Sequence, residues 1–185
     1  LINGDGFILK FDLTTAGKVN LQTGLLKPPC YFADLATSTQ TSPNNPYKDL
    51  AFKNTGLARL SMKLGSRNEI NTAITPVKFK KDNEHRLLAT FDAGRPFEFD
   101  PSTLKLITAI GENKIWHSGL PPLIDQPLAM ILTTAHPVFD PDTDELFTVN
   151  FTKDNKLLLS ATHIFDVFYN HDEQWIMTEL KKIIA

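Results

Sequence analysis

Short apolar or alternating runs, each bounded by turn residues, constrain the fold of this chain more than any other feature. Gly, Pro, Asn and Asp separate the runs, and these residues favour tight turns. Runs of this length and spacing are typical of β-strands and not of long helices, so the sequence predicts an all-β fold. The predicted strands are Phe7–Leu13, Gly56–Leu64, Ile74–Phe79, Arg86–Phe91, Leu104–Ile107, Leu128–Thr134, Glu145–Phe151, Leu157–Ala161 and Ile164–Tyr169. Asp172–Ile184 is also predicted as a strand, with a helix capped by Asp172 as the alternative.

One sequence pattern occurs twice, at an offset of 40 residues. Residues 99–104 read FDPSTL, and residues 139–143 read FDPDT. An Asp-Pro pair followed by Ser or Asp favours a type I turn, because proline fixes φ at the second position. A repeat of about 40 residues is the length of one four-stranded β-propeller blade. Two ordinary hairpin turns would explain the same pattern equally well.

Composition limits the classes of protein to which the chain can belong. It has 185 residues, 42% of them hydrophobic and 22% charged, which predicts one folded domain over residues 1–185 without an internal linker. A net charge of −2 gives no bulk attraction to nucleic acid. The single cysteine, Cys30, excludes an internal disulfide and favours a cytoplasmic location. Because the sequence begins at Leu1 and not at a methionine, we expect a piece of a longer protein.

The acidic run Asp140, Asp142 and Asp144 matches the first three ligand positions of a calcium-binding loop. The match fails at the sixth position, where Glu145 replaces the required glycine, and at the twelfth, where Phe151 replaces glutamate. The sequence therefore indicates a turn here. Phosphate-binding glycine loops and the common serine-hydrolase and zinc-protease motifs are absent from the sequence.

Among the five histidines, His136 has the most distinctive surroundings. It follows the apolar run Leu128–Thr134 and precedes Pro137, which forces the preceding residue into an extended conformation. We therefore expect His136 at the end of a buried strand on a stiff backbone, which suits a metal ligand. A purely structural histidine remains the alternative. His163 and His171 lie near acidic residues and are interpreted as solvated surface.

Residues 134–147, TAHPVFDPDTDELF, resemble the Thr-Ala-His-Pro-x-x-Asp-Pro-x-Thr-Gly-Glu-Leu signature of carotenoid cleavage oxygenases. That family includes apocarotenoid-cleaving and stilbene-cleaving enzymes and the retinoid isomerohydrolase. Three further blocks are similar to family segments in the same order: Leu87–Leu104, Asn71–Ala73 and Gly4–Phe7.

The resemblance implies a seven-bladed β-propeller, of which this chain would cover three to four blades. It implies iron(II) held by four histidines, with His136 as the first ligand. The reaction would use dioxygen to cleave a conjugated carbon–carbon double bond of an apolar polyene or stilbenoid into two carbonyl products. The resemblance also implies peripheral contact with a membrane, although no apolar patch for it is evident in the sequence. Substrate-binding residues are not assigned.

Two positions depart from the family pattern. Asp144 stands where the signature has glycine, and aspartate tolerates that turn position. Asp92 stands where the family has a glutamate that orients a ligand histidine through its far ring nitrogen. Asp92 is therefore a candidate for that role, and an exposed turn carboxylate is the alternative.

The other three iron ligands are expected beyond Ala185, because the contexts of His163 and His171 do not match the family. The remaining blades would then be needed to complete the site. We expect the 185-residue chain by itself to hold no stoichiometric iron and to be inactive. Two alternatives remain, namely a non-catalytic propeller-type binding module and a retinoid-type isomerohydrolase.

Overall fold

Within the described residues, a computed structural model contains thirteen β-strands and one α-helix. The structure describes residues 4–38, 51–56, 58–111, 116–118, 128, 130–151 and 157–160. The elements are β1 (Phe7–Asp12), β2 (Asn20–Leu25), α1 (Pro29–Ser38), β3 (Lys53–Asn54), β4 (Arg59–Ser61), β5 (Gly65–Ser66), β6 (Ala73–Val77), β7 (Arg86–Thr90), β8 (Phe97–Phe99), β9 (Leu106–Ala109), β10 (Leu132–Thr133), β11 (Val138–Asp140), β12 (Glu145–Phe151) and β13 (Leu157–Ser160).

The strands form four antiparallel sheets that follow one another along the chain. The first is the hairpin β1-β2, the second is β3-β4-β5, and the third is the meander β6-β7-β8-β9. In the fourth sheet, β12 pairs with β10 and β11 and also with β13. The predicted all-β fold is confirmed, and no sheet among the described residues closes on itself. A single domain over residues 1–185 stays a prediction.

Most predicted strands coincide with observed ones, although their ends differ. Glu145–Phe151 is confirmed in full, whereas the predicted strand Gly56–Leu64 is reduced to the three residues of β4. Sequence patterns did not predict β2, α1, β3, β5, β8 or β11. The predicted strand Ile164–Tyr169 and the segment Asp172–Ile184 lie outside the described residues. No helix in the described part of the chain is long and apolar enough to cross a membrane.

Two clusters of buried apolar side chains link the third sheet to the first sheet and to the fourth. The first cluster joins β1 to the third sheet, and the second joins the third sheet to the fourth. The first comprises Ile8, Leu26, Ile70, Ala89, Phe97, Phe99 and Leu104. The second comprises Val77, Phe79, Leu88, Ile110, Trp116, Ile131 and Leu146. The third sheet therefore buries apolar residues against the first sheet and against the fourth.

The sequence pattern that recurs after 40 residues corresponds to two equivalent hairpin turns. Asp100 Oδ1 accepts hydrogen bonds from the backbone N–H groups of Ser102 and Thr103 at 2.6 and 2.9 Å. Asp140 Oδ1 likewise accepts one from the Asp142 N–H at 2.9 Å. These backbone hydrogen bonds lower the pKa of both carboxyl groups. The structure therefore confirms a turn, as predicted, at the acidic run.

The two turns also share an unusual backbone conformation. Leu104 and Asp144, which are 40 residues apart, have φ angles of 58° and 65°. This left-handed region is unfavourable for most residues other than Gly, Asn and Asp. The family glycine at the position of Asp144 is thus explained by backbone conformation, and aspartate meets the same requirement.

Each of the two turns also accepts a hydrogen bond from a lysine in another sheet or in its flanking segment. Lys10 Nζ on β1 donates to the Pro101 carbonyl at 2.9 Å. Lys80 Nζ, which follows β6, donates to the Asp142 carbonyl at 2.9 Å. The first sheet therefore contacts the β8-β9 turn of the third sheet in the same way that the third contacts the β11-β12 turn of the fourth.

A buried ion network ties the N-terminal segment to α1 and the second sheet. Arg67, only 4% exposed, forms a two-point ion pair with Asp5 at 2.5 and 2.8 Å and also contacts Asp34 of α1 at 3.0 Å. Arg59 makes a second two-point contact with Asp34 at 2.5 and 2.8 Å. Two-point arginine–carboxylate pairs have fixed geometry, so the network sets where α1 lies.

The hairpin β1-β2 exposes an apolar face that the sequence did not reveal. Alternate residues of both strands point to this face, while Ile8 on the opposite face is buried. Large apolar side chains between 37% and 69% exposed make up the face: Phe7, Leu9, Phe11, Leu13, Val19, Leu21 and Leu25. Large exposed apolar surfaces are common at contact sites with partners or membranes.

We predict that residue 144 must tolerate a positive φ. Asp144→Val should lower the free energy of unfolding by about 1–2 kcal/mol, because a β-branched residue is strained in the left-handed region. It also loses the hydrogen bond from the Lys80 N–H to Asp144 Oδ1. Asp144→Asn should change stability little, and urea denaturation measures both variants.

Asp142→Val provides the matched control, because Asp142 is exposed in the same turn and is not among the residues with positive φ. Equal losses of stability for Asp144→Val and Asp142→Val would show that φ at residue 144 imposes no constraint.

Candidate metal centre

His136 lies in an interruption of the fourth sheet. Thr133 pairs with Asn150, and Val138 pairs with Phe147. The four residues 134–137 therefore lie opposite only two, 148–149. Such a bulge bends the strand and redirects its side chains. His136 was expected at the end of a buried strand. The structure instead has it beyond the end of β10, on the bulge.

Burial alternates through the bulge in spite of the missing ladder pairs. Ile131, Thr133, Ala135 and Pro137 are buried, whereas His136 is exposed. Alternation with a period of two indicates extended backbone, as expected for the residue before a proline. The His136 imidazole is therefore accessible on a backbone whose neighbouring residues are buried.

Backbone and side-chain hydrogen bonds hold this segment against the turn that follows β7. We call this contact the joint; it comprises residues 90–94 and 133–135. The Thr133 N–H donates to the Asp92 carbonyl at 2.8 Å. The Thr133 hydroxyl lies 2.9 Å from the Phe91 carbonyl oxygen and 2.8 Å from that of Gly94. The joint thus connects the third sheet to the fourth beside His136.

Both backbone groups of Ala135 are also held by the joint. Its N–H donates to Asp92 Oδ1 at 3.1 Å, and its carbonyl accepts a hydrogen bond from the Thr90 hydroxyl at 2.5 Å. The residue immediately before His136 is therefore fixed from two sides. Sequence reasoning missed Thr90 and Thr133, since threonines in strands carry no signal of such contacts.

Asp92 lies close to the candidate ligand and contacts its backbone neighbour. The side chain is exposed, and Oδ1 bonds to the amide of Ala135. The predicted hydrogen bond between Asp92 and a far ring nitrogen of a ligand histidine stays a prediction. In this structure Asp92 supports the His136 segment through the main chain.

Asn150 holds β10 from the side opposite the joint. This fully buried side chain donates from Nδ2 to the carbonyls of Leu132 at 2.9 Å and His117 at 3.0 Å. Its Oδ1 accepts a hydrogen bond from the His117 N–H at 2.7 Å. A buried amide with all these bonds satisfied fixes the register of its neighbours. The one sequence signal for Asn150 is a polar residue in the apolar run Glu145–Phe151.

Gly94 allows close packing at the edge of the joint. Its φ of 151° is open to glycine, and a Cβ there would collide with the Asn68 side chain. Asn68 Nδ2 donates to the Arg95 carbonyl at 2.7 Å.

A cavity of about 150 Å³ adjoins this contact, and Cys30 is among its lining residues. Burial raises the pKa of the Cys30 thiol to about 11, which disfavours the thiolate form.

Among the described histidines, His136 is the one on the bulge that the joint holds. His85 and His117 are also exposed but belong to other segments, and His163 and His171 lie outside the described residues. Across the described ranges, no three His, Cys, Asp or Glu side chains come close enough together to hold a metal ion. His136 therefore fits one ligand position, and the described residues do not form a complete iron site.

The structure so far defines an all-β protein with an accessible histidine on a bulge that is fixed between two sheets. The family model described as retinal pigment epithelial membrane protein matches residues 1–179 of the chain. The chain therefore belongs to this family of carotenoid oxygenases and retinoid isomerohydrolases, and the resemblance seen in the sequence is confirmed. No curated protein and no solved structure matches the chain.

We predict that Asp92 acts as a hydrogen-bond acceptor for the Ala135 amide. Asp92→Ala should speed hydrogen exchange of that amide about fivefold, since one net hydrogen bond contributes about 1 kcal/mol. Asp92→Asn retains a side-chain oxygen and should leave exchange within about twofold. Exchange followed by NMR measures both variants.

Asp142→Ala, another exposed aspartate, provides the control and should leave the Ala135 amide unaffected. Asn and Ala variants that speed exchange equally would contradict the prediction, because a side-chain oxygen alone would then not be enough to hold the Ala135 amide.

Proposed function

We propose that this chain forms part of a non-haem iron(II)-dependent enzyme. The enzyme would cleave a conjugated carbon–carbon double bond of a carotenoid, apocarotenoid or stilbenoid into two carbonyl products. The observation that carries this proposal is the exposed His136 on a bulge that the joint fixes, in a chain that belongs to the carotenoid oxygenase and retinoid isomerohydrolase family.

The proposal includes a seven-bladed propeller of which this chain contributes three to four blades. Three observations support it. The third sheet is a four-stranded antiparallel meander, which is the form of a propeller blade. Equivalent turns recur at 40 residues with the same positive φ. Each of the two turns also accepts a hydrogen bond from a lysine of another sheet or its flanking segment, Lys10 in one case and Lys80 in the other.

His136 would act as a ligand and not as an acid or base. A neutral imidazole donates a nitrogen lone pair to the metal, and its direction must be fixed for strong binding. The joint supplies that fixation through the backbone of Ala135. Iron(II), when bound, supplies the activation of dioxygen. Three more histidines from outside the described residues would complete the ligand set.

The substrate of this proposal is a long apolar polyene or stilbenoid, with dioxygen as the second substrate. We also propose a cytoplasmic location with peripheral membrane contact, through which an apolar substrate is collected. The exposed apolar face of β1-β2 supports this contact. The net charge of −2 gives no support for a nucleic-acid partner.

We predict that the complete protein carrying this chain consumes dioxygen when an apocarotenoid is supplied and releases two carbonyl products. His136→Ala should lower this rate at least about 100-fold, since loss of outer partners of a ligand alone lowers metal affinity 10–100-fold. His85→Ala, at another exposed histidine, should leave the rate unchanged. An oxygen electrode and mass spectrometry of the products measure both.

Product formed without oxygen uptake would point to isomerohydrolase chemistry instead. The 185-residue chain alone should retain far less than one iron per chain after gel filtration. One tightly held iron per chain would contradict the assignment of His136 as one ligand of a site completed elsewhere.

A further inference from the structure

Two threonine hydroxyls are buried inside the joint. Thr90, the last residue of β7, is 0% exposed, and Thr133 on β10 is 2% exposed. A buried hydroxyl without a hydrogen-bond partner is unfavourable, and nearly all such groups are paired. Both hydroxyls donate to main-chain carbonyls of the other sheet or of its turn. Their partners therefore indicate what each threonine fixes.

Thr133 fixes β10 against the turn that follows β7. Its hydroxyl lies between the Phe91 carbonyl at 2.9 Å and the Gly94 carbonyl at 2.8 Å. A hydroxyl has one proton and donates to one of the two at a time. The two acceptors flank Asp92, whose carbonyl in turn accepts a hydrogen bond from the Thr133 N–H. Backbone and side chain of Thr133 thus hold the same turn.

Thr90 acts on the peptide unit that leads into His136. Its hydroxyl lies 2.5 Å from the Ala135 carbonyl and 3.2 Å from that of Ala73, so the shorter contact is with Ala135. The carbonyl of Ala135 and the N–H of His136 belong to one planar peptide group. Holding that carbonyl therefore fixes the plane from which the His136 side chain projects. Pro137 restricts His136 from the other side.

We propose that Thr90 and Thr133 are positioning residues for His136. Their hydroxyls set the direction of the imidazole through the backbone of the bulge, without touching the ring. The proposal rests on the proposed function in one respect, namely that the His136 ring is held in order to bind a metal. The positioning itself depends on described contacts and is measurable without a metal.

The shape of threonine suits this task. A β-branched side chain has few χ1 rotamers, so Oγ1 stays directed at its acceptor with little loss of entropy. Valine has the same shape but no donor, and it would leave the Ala135 or Gly94 carbonyl buried without that hydrogen bond. Serine retains the donor and loses only a methyl group. The valine variants therefore test the hydroxyl group, and the serine variants test the packing of the methyl group.

The test compares Thr90→Val and Thr133→Val with Thr90→Ser and Thr133→Ser in the 185-residue chain. One readout is hydrogen exchange of the Thr133 and Ala135 amides, and the other is nitrogen-15 relaxation of the His136 backbone amide. Each valine variant should speed exchange about tenfold and lower the order parameter of the His136 amide from the rigid range, about 0.85, toward 0.6. Each serine variant should stay within about twofold of the parent chain in exchange.

Thr148→Val is the matched control. Thr148 is 5% exposed and lies opposite the bulge, and its hydroxyl has no partner among the described residues. The same atom change at Thr148 should leave the His136, Thr133 and Ala135 amides unaffected. The proposal is overturned if the valine variants at 90 and 133 leave the His136 amide as rigid as in the parent, or if Thr148→Val loosens it equally.

A measurement on the parent chain covers the case in which the valine variants do not fold. The hydroxyl protons of Thr90 and Thr133 should exchange slowly enough to be observed, with NOEs to Ala135 and Gly94 respectively. Fast exchange of both protons would overturn the proposal. These readouts need no iron, so failure of oxygen consumption leaves them intact, and failure of the positioning proposal leaves the ligand assignment of His136 open to its own test.

Discussion

The candidate metal centre depends on the hydrogen bonds that join the third sheet to the fourth. Three backbone groups next to His136 find their partners across the joint: the N–H groups of Thr133 and Ala135 bond to Asp92, and the Ala135 carbonyl bonds to Thr90. Because buried polar groups without partners cost about 1–3 kcal/mol each, the two sheets have one favourable relative position. The buried residues on either side of His136 therefore fix the backbone that carries its exposed imidazole.

The same relation between neighbouring sheets extends along the chain. Apolar clusters lie on both sides of the third sheet, and Lys10 and Lys80 make corresponding contacts with successive turns. Each turn holds one residue at positive φ, Leu104 or Asp144. The two hairpin turns, 40 residues apart, are therefore equivalent in backbone conformation and in their lysine contact.

The sequence predicted those parts of the fold that local chemistry determines. Alternation and turn residues were sufficient for the all-β class and for β12, and the repeated Asp-Pro pattern predicted the two turns. The helix α1 was not predicted, because its position depends on the ion network of Asp34 with Arg59 and Arg67. The hairpin strand β2 was missed because its residues do not form a clear alternating run.

The candidate site was predicted in its residues but not in its construction. His136 and Asp92 were identified from the family pattern, whereas the bulge that carries His136 follows from the register in which β10 and β11 pair with β12. The partner of Asp92 is an amide 43 residues away, and no local pattern encodes such a contact. Thr90 and Thr133 gave no sequence signal, since threonine is common in strands for reasons of propensity alone.

The register of the fourth sheet tests the account most directly. Interstrand NOEs of the 185-residue chain should connect Thr133 with Asn150 and also Val138 with Phe147, with residues 134–137 outside the regular ladder. This result would establish the bulge on which His136 depends. A single uninterrupted register through residues 132–140, which pairs Ala135 and His136 regularly with β12, would contradict it.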